Sequence, residues 1–86
     1  MNIGIVEDDL LQRTALRNWL EDAGHQCRCF NSGDEFVRQM QRGEFQVLLF
    51  DWGLPGTSGI ELLSWLRDQL QDNTPVIFIT AHDTEE

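Results

Sequence analysis

Three short apolar runs punctuate this chain, and each stops at a polar residue. Ile3-Gly4-Ile5-Val6 runs into Glu7-Asp8-Asp9, Val47-Leu48-Leu49-Phe50 into Asp51, and Val76-Ile77-Phe78-Ile79 into Thr80. Such runs read as buried strands, of the kind found in parallel sheets covered on both faces. The pattern predicts strands over Asn2–Val6, Phe45–Phe50 and Val76–Ile79, and a weaker, edge-like strand over His25–Phe30. Helical spacing fills the gaps. A first helix spans Leu10–Ala23, with Leu16, Trp19, Leu20 and Ala23 as its core stripe and Gly24 as its stop. Ser32 and Glu35 have capping-box spacing for a second helix that buries Phe36, Val37 and Met40 and ends at Gly43. Pro55, Gly56 and Gly59 mark a loop. A third helix covers Ile60–Leu70, with Trp65 in its core stripe, and Asn73-Thr74-Pro75 turns the chain into the last strand.

Strand and helix alternate, so the fold class is α/β, with βαβ units and a doubly wound parallel sheet. Right-handed crossovers leave few topologies. The first, third and fourth strands are the most continuously apolar and are expected at the sheet centre. A fourth strand this apolar is a poor open edge, because an open edge invites pairing with another chain. The expectation is therefore one domain over residues 1–86, the N-terminal and incomplete part of a larger fold, prone to self-association or strand exchange through that edge.

Ligands of open α/β sheets bind beyond the carboxyl ends of the strands. If the first and third strands are parallel neighbours, Glu7, Asp8 and Asp51 share one acidic pocket. Like charges ~4 Å apart repel by about 4 kcal/mol at an effective dielectric near ~20, so the cluster calls for a cation. A hard divalent ion, Mg²⁺ by preference, suits these oxygens. Asp9 precedes Leu10 and reads as a helix N-cap instead. Gly53 lets the backbone approach a ligand, and its carbonyl can serve as a neutral metal ligand; taken alone, an ordinary glycine-rich turn is the preferable explanation. Thr80 ends the fourth strand beside small Ala81, and its hydroxyl can donate to an anionic oxygen on Asp51 or to backbone. His25 and His82 read as solvated loop residues. Trp52 either shades the pocket or forms a partner surface.

Composition narrows the options. The formal charge is −9, with six Arg and no Lys, which argues against direct nucleic-acid binding by this segment. Cys27 and Cys29, the only cysteines, read as buried free thiols in a reducing compartment. No signal peptide opens the chain, and no apolar stretch approaches the ~20 residues that cross a bilayer. The expected location is the cytoplasm, without membrane contact.

Three motifs in order, Ile3 to Asp9, Val47 to Asp51 with Leu54-Pro55-Gly56 and Gly59, and Pro75 to Ala81, make the chain resemble the receiver domain of two-component response regulators. The resemblance spans the whole chain. It implies a flavodoxin-like sheet of order 2-1-3-4-5, of which the fifth strand and last two helices would be missing here. It further implies that Asp51 is the phosphoacceptor for a sensor histidine kinase. Glu7, Asp8, Asp51 and the Gly53 carbonyl would hold Mg²⁺, Thr80 would be the switch hydroxyl, and Ala81 would leave room beside the phosphoryl group. A C-terminal effector domain, in many such regulators a transcriptional one, would lie outside this segment. Receivers also use a Lys on the fifth strand. None is present, so weak or no phosphorylation is expected of this segment alone. Two other classes compete. An aspartyl-nucleophile, Mg²⁺-dependent phosphohydrolase needs a second Asp at position 53, which is glycine. An inert interaction domain would bind no metal.

Overall fold

The alternation of short apolar runs and amphipathic segments produces a four-stranded parallel sheet in a computed structural model, which describes residues 1–79. The elements are β1 (Asn2–Val6), α1 (Leu10–Asp22), β2 (Gln26–Phe30), α2 (Gly33–Gln39), β3 (Val47–Asp51), α3 (Gly59–Ser64) and β4 (Val76–Ile79). A π-helical turn, Trp65–Gln69, prolongs α3. The sheet order is β2-β1-β3-β4, all parallel. The expected fold class and order are therefore present.

Alternation along the strands divides the apolar side chains between two layers. Val6, Phe30, Leu48 and Phe50 pack with Phe36, Leu62 and Leu66 on the α2–α3 side. The ring of Phe36 meets Phe30, Phe50 and Trp65 edge-on at centroid distances of 5.2, 5.3 and 6.1 Å. Ile3, Ile5 and Leu49 face α1, where Leu16 and Leu20 pack on them.

Several expectations change. Trp19 is not core: it is 71% exposed. Leu16 and Leu20 already face the sheet, and Trp19 lies on the side of α1 that no described element covers. The cysteines are half-buried rather than buried, and unpaired. β4 is an edge strand of the described sheet, bonded only to β3, and its Ile77 is 54% exposed. β3 starts at Val47 rather than Phe45, although Phe45 stays in the core. α2 stops at Gln39, because Met40 takes an extended backbone (φ −72°, ψ 139°) while its side chain remains buried. The Ser32 box is half-formed: its hydroxyl caps the Glu35 N–H, but Glu35 reaches back to the N–H of Asn31. The complete capping box is Ser58–Glu61, at the start of α3.

The two loops at the amino ends of β3 and β4 meet on Asp72, which is 4% exposed. Its carboxylate accepts from the N–H of Gly43 at 2.8 Å, from the N–H of Thr74 at 2.7 Å and from the Thr74 hydroxyl. Burial pushes this carboxyl up, but the Thr74 hydroxyl, the two N–H groups and Arg67 outweigh it and hold Asp72 below its ordinary value.

Candidate functional site

β1 and β3 are neighbours with Val6 opposite Phe50, so the chain leaves both strands at the same height. Glu7, Asp8 and Asp51 each present a carboxylate oxygen there, and these oxygens lie within 4.8 Å of one another. The pocket expected from the strand ends therefore exists, with unequal members. Glu7 is 1% exposed and Asp51 7%, while Asp8 is exposed to solvent.

Local hydrogen bonds hold each acid in place. The Glu7 N–H donates to the Phe30 carbonyl at 3.1 Å, continuing the ladder to β2 by one step. Glu7 Oε2 accepts the Asp9 N–H at 3.1 Å. Asp9 is not one of the three clustered acids, and its Oδ1 caps the Leu11 N–H at 2.9 Å, as expected of an N-cap. Asp51 Oδ1 accepts the N–H of Gly53 at 3.2 Å. The Trp52 N–H donates to the Ile79 carbonyl at 2.8 Å, which ties the turn after Asp51 to β4.

Glu7 Oε1 is buried without a hydrogen-bond partner, alone among the described side-chain polar atoms. Burial raises its carboxyl from 4.5 to about 7, opposed by the Asp9 N–H and reinforced by the facing Asp51 and by Asp8. A buried oxygen with no donor costs free energy unless something electropositive meets it. Three clustered carboxylates, one of them with a buried, orphaned oxygen, form a donor set that fits a hard divalent cation.

The remaining site residues divide. Gly53 sits two residues past Asp51 with its N–H on the carboxylate. Thr80 and Ala81, and also His82, lie outside the described residues. Trp52 is 56% exposed and packs edge-on against Phe78 at 5.0 Å, so it stands beside the site as an open aromatic surface. One contributor escaped the reading of the chain, and a second was read only in part. Arg13 donates to the Glu7 carbonyl at 2.9 Å; the only signal for it is an arginine four residues after an N-cap. Gly59 is the other. A Cβ there would stand 2.9 Å from Phe78 Cε1 and 3.0 Å from the Asp51 carbonyl oxygen, so α3 begins against the backbone that carries Asp51.

Fold and site together define a doubly wound α/β domain with an acidic cluster at the carboxyl edge of its sheet. The chain belongs to the response regulator receiver domain family, whose model matches residues 3–86, and is thus a receiver domain of two-component phosphorelay signalling. It is 37% identical over 84 residues to the phosphate regulon transcriptional regulatory protein PhoB of Rhizobium meliloti, covering 96% of this chain and 37% of the relative. It is 33% identical over 88 residues to chemotaxis protein CheY-3 of Vibrio cholerae, covering 100% of this chain and 68% of the relative. The solved structure of the response regulator StyR superposes with a TM-score of 0.87 at 34% identity, over 99% of this chain and 42% of that one. The chain thus spans little more than a third of the transcriptional regulator it matches.

Proposed function

We propose that Asp51 is the phosphoacceptor of this receiver and that its donor is the phosphohistidine of a sensor kinase. An Asp51 carboxylate oxygen attacks phosphorus, a P–O bond forms, and the P–N bond to the imidazole breaks. The departing imidazole nitrogen keeps the electron pair, and the ring leaves as neutral imidazole because its other nitrogen already carries a proton. Glu7, Asp8 and Asp51, with the Gly53 carbonyl, would hold Mg²⁺, which neutralises charge on the transferring phosphoryl group. The observation that carries this reading is the orphaned, buried Oε1 of Glu7 within a three-carboxylate cluster. Glu7 and Asp8 orient the cation, and the Gly53 N–H orients the nucleophile. Thr80, next in sequence after the Ile79 that pairs with Asp51, is assigned the switch hydroxyl. Ala81, a small residue, is assigned the position beside the phosphoryl group.

The output lies elsewhere in the protein. PhoB and the transcriptional regulatory protein CrdR of Helicobacter pylori, each matched over 37% of its length, support a transcriptional effector. Two half-buried, unpaired cysteines support a reducing, cytoplasmic setting, and no described helix is long and apolar enough to cross a membrane. The phosphoacceptor assignment is tested with acetyl phosphate and Mg²⁺ on the full-length protein. A phosphate-affinity gel should show one shifted band that is lost on treatment with alkali or hydroxylamine, as an acyl phosphate is, and that does not form when EDTA replaces Mg²⁺ or in Asp51→Asn. An undiminished band in Asp51→Asn sinks the assignment.

A further inference from the structure

We infer that Arg13 is a positioning residue of the metal pocket, acting through the Glu7 peptide rather than through charge. The inference rests on the Mg²⁺ reading above. Arg13 lies in the second turn of α1, and its N–H makes the bond to the Asp9 carbonyl at 2.8 Å. Its guanidinium reaches back to the Glu7 carbonyl, six residues earlier, at 2.9 Å. An arginine on an acidic chain usually meets a carboxylate. Among the described residues the ion pairs are Arg17–Glu21 and Arg28–Glu44, and Arg13 is instead half-buried against a neutral oxygen.

That oxygen is a sensitive place to hold. Residue pairing between β1 and its neighbours ends at Val6, so the Glu7 carbonyl lies just past the regular ladder. The peptide joining Glu7 to Asp8 is planar. Fixing its oxygen therefore fixes the plane that carries the Cα atoms of both residues. With the Glu7 N–H on Phe30 and Oε2 on Asp9, Arg13 completes the set that leaves only Oε1 for a ligand. Glu7 and Asp8 thus arrive at the cation from one clamped peptide. Partners that orient metal ligands typically contribute 10- to 100-fold in metal affinity.

The sign of the effect separates positioning from electrostatics. Deleting a positive charge beside a cation site tightens cation binding if charge alone matters. A positioning role predicts the opposite. Calorimetric titration of the protein with MgCl₂ should show roughly tenfold weaker binding for Arg13→Met. Arg13→Lys should recover most of the loss, since a single donor suffices. Arg17→Met removes the same charge one turn away and should leave affinity within about twofold, because Arg17 pairs with Glu21 on the solvent side. Circular dichroism in chelator identifies temperatures at which each variant is folded, and Arg13→Gln, whose shorter stem ends well before that carbonyl, replaces Arg13→Met if the latter does not fold. Unchanged or tighter Mg²⁺ binding by Arg13→Met overturns the inference, as does equal weakening by Arg17→Met. Absence of Mg²⁺ binding by the wild type overturns the underlying metal reading instead.

Discussion

Replacing Glu7 by glutamine should make the metal-free fold more stable at neutral pH while weakening its hold on a cation. The pocket oxygens lie within 4.8 Å of one another, and two full charges at that separation repel by about 3.5 kcal/mol at an effective dielectric of ~20. Glu7 avoids part of this by keeping its proton. Burial first, and then Asp51, lift its carboxyl from 4.5 to about 7, a displacement worth about 3 kcal/mol between the two protonation states. The folded value is the raised one, so the folded state binds more protons than the unfolded state between roughly pH 4.5 and 7. The stability this group contributes is fully present below 4.5 and is lost as pH rises through about 7. Urea denaturation in EDTA, followed by circular dichroism at several values from pH 5 to 8, reads this directly. Other groups titrate in both proteins, so the difference between wild type and Glu7→Gln isolates Glu7. That difference should grow by up to about 3 kcal/mol toward pH 8, equivalent to 10 °C or more in Tm for a domain of about this size. Saturating Mg²⁺ should flatten the wild-type dependence, because the metal displaces the proton, and should leave the glutamine variant nearly unmoved. Parallel pH profiles for the two proteins in EDTA would refute the reasoning.

Asp72→Ala strands the N–H groups of Gly43 and Thr74, and hydrogen bonds to a charged group contribute about 1.5–3 kcal/mol each; the expected loss is about 3–4 kcal/mol by chemical denaturation. Because Asp72 is held below its ordinary 3.8, its contribution is present above that pH and lost as pH falls through the lower folded value; Asp72→Asn should flatten the wild-type stability profile below pH 3.8, and an unaltered acid profile would remove Asp72 from its cause. Gly59→Ala should cost about 1–3 kcal/mol through overpacking, despite the better helix propensity of alanine. A neutral or stabilised Gly59→Ala protein would mean that the close approach to Asp51 and Phe78 relaxes without effect.

The order of elements, the parallel sheet and the acidic pocket were all legible along the chain, because each has a short-range signature. Apolar runs of four residues mark strands, and acids at the ends of two such runs meet once those strands are parallel neighbours. Asp9 was legible as a cap for the same reason: capping is decided within three residues. What escaped has long-range causes. Periodicity shows that α1 has an apolar stripe but not how much of it a neighbour covers, so Leu16 and Leu20 pack on the sheet while Trp19 stands in solvent. Asp72 looks like any turn aspartate until Gly43, 29 residues away, supplies a donor.

Within the pocket the division is the same. Residue types and strand ends were enough to gather Glu7, Asp8 and Asp51 and to set Asp9 apart. Only the packed structure ranked them, since burial and donor supply depend on groups from several elements at once. Phe30 on β2, Arg13 on α1 and the Asp9 turn together use up every polar atom of Glu7 except Oε1. A local pattern can place a carboxylate at a strand end; leaving one of its oxygens bare takes the convergence of distant chain segments.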